Sequence, residues 1–165
     1  MIEPRIELKS EAVLAAFARL NEFARDPREG LDAIGRVLKT KTQLGFHTGT
    51  DPYGTPWAPL KSRSGQPLRD KGHLMDSFDY RVEGNSVVVG TNMPYARTHQ
   101  HGAVIKPKST DAKARLFFMV GGVPVFAKSV TIPAREMLPL SGLPPDWEAD
   151  VVDAIGDVIM NKWDG

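Results

Sequence analysis

The chain has 165 residues, a net charge of +1 and no cysteine. Its content of 41% hydrophobic and 25% charged residues is that of an ordinary folded domain and excludes wholesale disorder. The missing thiols exclude disulfides, cysteine nucleophiles and thiolate metal sites, and suit a reducing cytosol.

A chain of this length buries about 70% of its unfolded surface, so one domain over 1–165 with its own core is expected. The 15 glycines and 13 prolines predict many loops. No apolar run approaches the ~20 residues of a membrane span, and the first residues lack the basic-then-apolar pattern of an export signal. Charge is unevenly spread: residues 1–50 carry +1, 51–115 carry +4 and 116–165 carry −4. A basic middle and an acidic tail can pair between copies or remain two solvated faces.

Residues 5–9 alternate polar and apolar, as a short strand does, and Ser10 caps a helix expected over 11 to about 25. Its stripe is Val13, Leu14, Phe17, Leu20 and Phe23. Asp26-Pro27-Arg28-Glu29 starts a second helix, with Asp26 as cap and Pro27 in the first position. Leu31, Ile34, Val37, Leu38 and Leu44 follow at helical spacing, and Gly45 is the expected stop. Residues 1–46 thus form a helical part. Residues 47–67, with four prolines and three glycines, form a long loop that no regular element crosses. The loop holds Tyr53, Trp57 and Leu60, which a plain linker would lack, and a loop of this length is usually functional or mobile.

The part over 68–140 is expected to be mainly sheet, after a short helix from Leu68 to Ser77 with Leu68, Leu74 and Met75 inward. Residues 80–83 and 86–90 flank Gly84-Asn85, a hairpin signal. A proline-started turn of helix follows over 94–101, then a strand over 103–105 and a polar, basic loop over 106–115. Residues 116–120 and 123–130 flank Gly121-Gly122 as a second hairpin. Ile132-Pro133-Ala134-Arg135 leads out of the sheet, and Asp146 caps a last helix within 141–165, with Trp147, Val151, Ile155, Val158 and Ile159 inward. The fold class is therefore α+β, with N-terminal helices and a C-terminal helix around a central antiparallel sheet and long Pro/Gly-rich loops.

Little in this order suggests catalysis. His99 and His101 are the only close histidine pair, and a metal site needs a further ligand at organised spacing. No Gly-x-Ser-x-Gly elbow, phosphate loop or paired-carboxylate spacing is present. The candidate residues are instead those of a partner interface: Tyr53, Trp57, Tyr95, His99, His101 and Arg135, side chains of the kinds that dominate docking energy. Four of these have a structural alternative. Trp57 can pin its loop to the core, the histidines can be structural, and Arg135 can form an internal salt bridge.

Five segments in fixed order form a wider pattern. They are Pro52-Tyr53-Gly54-Thr55-Pro56-Trp57-Ala58-Pro59-Leu60, residues 68–77, Val88-Val89-Gly90-Thr91, residues 95–102 (Tyr-Ala-Arg-Thr-His-Gln-His-Gly) and Ile132-Pro133-Ala134-Arg135-Glu136-Met137-Leu138. Together they resemble the virion morphogenesis, or tail completion, family of Mu-like and related contractile-tailed phages and prophages. The chain departs from that pattern at Asp70-Lys71-Gly72 and at His101 before Gly102. The resemblance implies a non-enzymatic assembly protein without cofactor, located in the virion at the tail or head–tail joint and in the host cytoplasm during assembly. It implies tail and neck or connector proteins as partners, and self-association into a ring. Basic loops 61–71 and 106–115 would then face DNA in a channel or an acidic neighbour. A tail terminator or other neck-ring protein is the alternative within this class. A small metal-dependent enzyme using His99 and His101 is the alternative outside it, and a nucleic-acid binder is disfavoured by the near-neutral total.

Overall fold

The computed structural model describes residues 23–61, 64–111 and 113–164, with positions 15, 18, 20 and 21. The strand expected over 5–9, its neighbour Ser10 and the stripe residues Val13, Leu14 and Phe17 lie outside the described residues. Leu20 is exposed, and Phe23 lies against Gly30.

Helix α1, Arg28–Thr48, is the spine of the molecule. Pro27 rather than Asp26 stands at its cap position, and the Asp26 carboxylate accepts the Arg28 N–H at 3.3 Å. The helix runs through Gly45 and ends at Gly49, which adopts φ 75° and donates its N–H to the Gly45 carbonyl at 2.8 Å. Glycine enters this left-handed conformation without the Cβ penalty other residues incur. Leu44 is exposed, whereas Gly30, Ala33, Gly35 and Thr42 are buried along with Phe46. Two neighbours flank α1, so its small residues mark where they approach most closely. A Cβ on Gly35 would fall 2.0 Å from the Tyr80 ring.

Helix α2 is only His73–Asp76, shorter than the expected 68–77, because Leu68 (φ 60°) and Gly72 (φ 85°) both take left-handed backbone. Strands β1, Asp79–Glu83, and β2, Ser86–Gly90, form the expected hairpin around Gly84-Asn85, with Tyr80 opposite Val89. The hairpin lies on α1, where the Tyr80 hydroxyl donates to Asp32 at 2.8 Å and Lys39 pairs with Asp79 at 3.0 Å. Helix α3 is Ala96–His101, and β3 is Ala103–Ile105. Strands β4, Leu116–Val120, and β5, Val123–Ala127, form the second hairpin.

One correction concerns the sheet. The described strands do not form a single central sheet but three two-stranded antiparallel ladders: β1–β2, β4–β5, and β3 with β6, Val130–Ile132. The expected strand over 123–130 divides at Lys128-Ser129, where its first half pairs with β4 and its second with β3. Hairpin turns fix local pairing, but the polar connection over 106–115 supplies no apolar face to merge the ladders.

Helix α4, Pro145–Asp164, closes the chain against α1. It starts at Pro145, so Asp146 lies inside its first turn rather than capping it. The Asp146 and Asp150 carboxylates accept from the Lys41 ammonium at 3.1 and 2.7 Å. Hydrogen bonding to Asp150 is the main cause of the raised Lys41 pKa. Trp147 and Val158 are buried as the apolar spacing predicts. No described helix is long and apolar enough to cross a membrane. The core gathers Phe46, Trp57, Leu74, Phe78, Ala96 and Met137, with Leu68 and Met75 against it.

Candidate functional site

The loop over 47–67 is fastened at several points. Asp51 accepts backbone N–H bonds from Tyr53 at 2.9 Å and Thr55 at 2.8 Å, and Thr50 and Pro56 form a β-bridge. Gln66 donates to the Phe46 carbonyl at 2.7 Å. Trp57 is 7% exposed; its ring meets Phe46 edge-on at 5.3 Å and its Nε1–H donates to the Glu136 carbonyl at 2.8 Å. The residue is a core anchor of the loop. Tyr53 is exposed, and its hydroxyl holds the segment before α4, donating to the Gly142 carbonyl at 3.0 Å and accepting the Ser141 N–H at 2.9 Å.

Arg135 makes no internal salt bridge among the described residues. It is 6% exposed, and its guanidinium donates to two loop carbonyls, Ala58 at 2.8 Å and Pro59 at 3.2 Å. Burial lowers its pKa from the ordinary arginine value. Its backbone N–H donates to the His99 carbonyl at 2.7 Å, joining α3 to the exit segment. Beside it, Gly102 (φ 71°) lets β3 pass the same segment; a Cβ there would lie 2.9 Å from the Ala134 nitrogen.

Gln100, which sequence reasoning did not single out, is the centre of this bracing. Its buried side-chain amide donates to the Leu138 carbonyl at 2.7 Å and accepts the N–H groups of Met137 at 2.8 Å and Leu138 at 3.1 Å. It pairs with residues 137–138 as a neighbouring strand would. Its only signal in the sequence is a neutral amide in a turn otherwise rich in charged and imidazole groups.

Tyr95, His99 and Arg135 come together in one concavity of about 320 Å³, lined also by Leu60, Lys71 and His73. Tyr95 is exposed and meets the His99 ring edge-on at 6.0 Å. Tyr53 lines a separate concavity of about 530 Å³ with Trp147. His101 is exposed, and because it lies two positions after His99 on the helix the directions of the two side chains differ by roughly 200°. Among the described residues, no group of three His, Asp or Glu could hold a metal ion.

The Nδ1 atom of His99 is buried without a hydrogen-bond partner. Burial first, and the Arg135 guanidinium second, hold the imidazole below its ordinary value of 6.5. Between the ordinary value and the lower folded one, the unfolded chain binds a proton that the folded chain refuses. His99 therefore costs nothing above about pH 6.5 and destabilises the fold increasingly as pH falls below it. Urea midpoints measured from pH 7 down to about pH 5.5 should fall with acidity, and His99→Gln should flatten part of that slope. Identical slopes in the two proteins would contradict the assignment.

Three of the five segments, 52–60, 95–102 and 132–138, are joined by this bracing. The chain matches the phage virion morphogenesis family over residues 8–161, and it belongs to that family. It is 30% identical over 157 residues to Mu-like prophage FluMu G protein 2 of Haemophilus influenzae, covering 95% of each chain. No solved structure matches. Membership gives the chain a structural or assembly role in making a phage virion.

Proposed function

We propose that this protein completes the tail, or joins it to the filled head, in a contractile-tailed phage or prophage, and that it does so by binding rather than by chemistry. What carries this reading is how the residues of the family-like segments are used. Trp57, Gln100 and Arg135 donate side-chain hydrogen bonds to main-chain carbonyls of distant segments. A buried polar group spent on such a bond rigidifies the chain and is withdrawn from reaction. The scaffold so formed presents large apolar side chains outward, among them Phe117, Phe126 and Leu140, as a docking protein does. Its partners are tail and neck or connector proteins, and its place is the virion after assembly in the host cytoplasm. The basic loops over 61–71 and 106–115 suit DNA in a channel or an acidic neighbour. A role as tail terminator is the second reading, since it needs the same docking surfaces. The metal-enzyme reading is weakened by the divergent directions of His99 and His101.

Deleting the gene from its phage and imaging the lysate separates these. Filled heads beside free tails of finished length are the expected result. Overlong tails would assign termination instead, and normal particles would overturn both.

A further inference from the structure

The β4–β5 ribbon is the feature a solitary monomer explains least. No residue in either strand is buried, and each strand packs chiefly on the other. Phe117, Met119 and Phe126 on one face are 61%, 56% and 67% exposed, and the two phenylalanine rings meet at 5.3 Å, tilted 46° to each other. The opposite face carries Leu116, Phe118 and Val125. Both outer edges lack a strand partner among the described residues. An exposed aromatic face on a ribbon whose edges are unpaired among the described residues is an adhesive element in water.

The same chain carries a surface that complements it. Helix α4 turns Trp147 and Val158 toward the core, which leaves Val152 and Met160 outward, 66% and 56% exposed. Beside them run Asp153 and Asp157, both exposed. The helix carries six acidic residues and one lysine. Residues 106–128, the ribbon and its approaches, carry five cations and one acid. A five-residue strand runs roughly 17 Å, long enough to cover the roughly 12 Å of helix from Val152 to Met160.

We propose that the Phe117/Phe126 face of one copy's ribbon packs along the Val152/Met160 face of α4 in a second copy, with basic ribbon flanks against the acidic helix. The occupant is another copy of this chain because the chain itself bears both halves of the match in apolar character, charge and length. The contact is head-to-tail, so each copy keeps one free ribbon and one free helix face, and successive copies close into a ring or extend as a filament. This deepens the assembly reading by naming a self-contact, and it is tested in solution, apart from any lysate.

The full chain is followed by sedimentation over a concentration series, at low and at high salt. Association that grows with concentration and weakens with salt is expected. A ribbon variant, Phe117→Ser with Phe126→Ser, and a helix variant, Val152→Asp with Met160→Asp, should each weaken self-association by about tenfold or more. Circular dichroism checks that both remain folded. Mixed in equal amounts, the two variants should form a one-to-one dimer, since one supplies an intact helix face and the other an intact ribbon. A helix variant that associates as well as the parent would indicate ribbon-to-ribbon pairing and overturn the proposal. So would a mixture that stays monomeric, or a parent protein monomeric up to its solubility limit. If the serine changes unfold the ribbon, Asp153→Lys with Asp157→Lys leaves it intact and should weaken association about tenfold at low salt. Association unchanged by that reversal would again overturn the proposal.

Discussion

Trp57→Ala should lower the unfolding free energy by about 3–5 kcal/mol, the range for removing a large aromatic from a packed core. That is a large share of the ~5–15 kcal/mol that holds a typical domain folded. The ring fills the space beside Phe46, and its removal leaves a cavity that Leu74, Phe78 and Met137 cannot all collapse into. It also strands the Glu136 carbonyl, which accepts from Nε1. Trp57→Phe restores most of the volume but not the donor, so a smaller loss of about 1–2 kcal/mol is expected. Urea unfolding measures both. Brief trypsin treatment should cut the alanine variant near Lys61 much faster than the parent, because the loop loses its principal anchor. Equal loop protection in parent and variant would show that Gln66 and Arg135 hold the segment without the ring.

Gln100→Ala should cost about 3 kcal/mol, since it leaves the buried Met137 N–H and the part-buried Leu138 N–H and carbonyl without this partner. Gln100→Glu is the sharper probe. A carboxylate can still accept from Met137 and Leu138, but it faces the Leu138 carbonyl with a lone pair where the amide had a donor. Protonation restores a donor there, so the folded state should raise the new carboxyl's pKa above its unfolded value. Stability of this variant should therefore be greatest at low pH and decline as pH rises through the carboxyl range, the reverse of the His99 effect. A glutamate variant with the pH profile of the parent would remove Gln100 from the bracing role.

Local signals in the sequence were faithful where the structure is locally determined. Gly84-Asn85 and Gly121-Gly122 placed both hairpins because a two-residue turn fixes its own strands. The stripe from Trp147 to Val158 placed the last helix for the same reason of period. Failures came where distant segments decide the outcome. Gly45 reads as a stop, yet the helix continues to Gly49, where the turn back to Trp57 begins. The strand over 123–130 reads as continuous, yet its two halves pair with different partners. Of the candidate interface residues, three came together in space, Tyr95, His99 and Arg135. Trp57 went into the core, and Tyr53 and His101 lie elsewhere. Gln100 was illegible because an amide's importance lies in carbonyls and N–H groups some 38 residues away.

The braces also constrain when this protein can acquire its shape. Trp57 reaches Glu136, Arg135 reaches Ala58, and Lys41 reaches Asp146, separations of 79, 77 and 105 residues. A nascent chain emerging from the ribosome has the ring of Trp57 long before it has anything to set it against. Closure of the core must wait until residues 135–146 have been made, and such distant pairings slow folding. A messenger cut short before residue 136 would yield not a smaller working piece but an open, aggregation-prone intermediate.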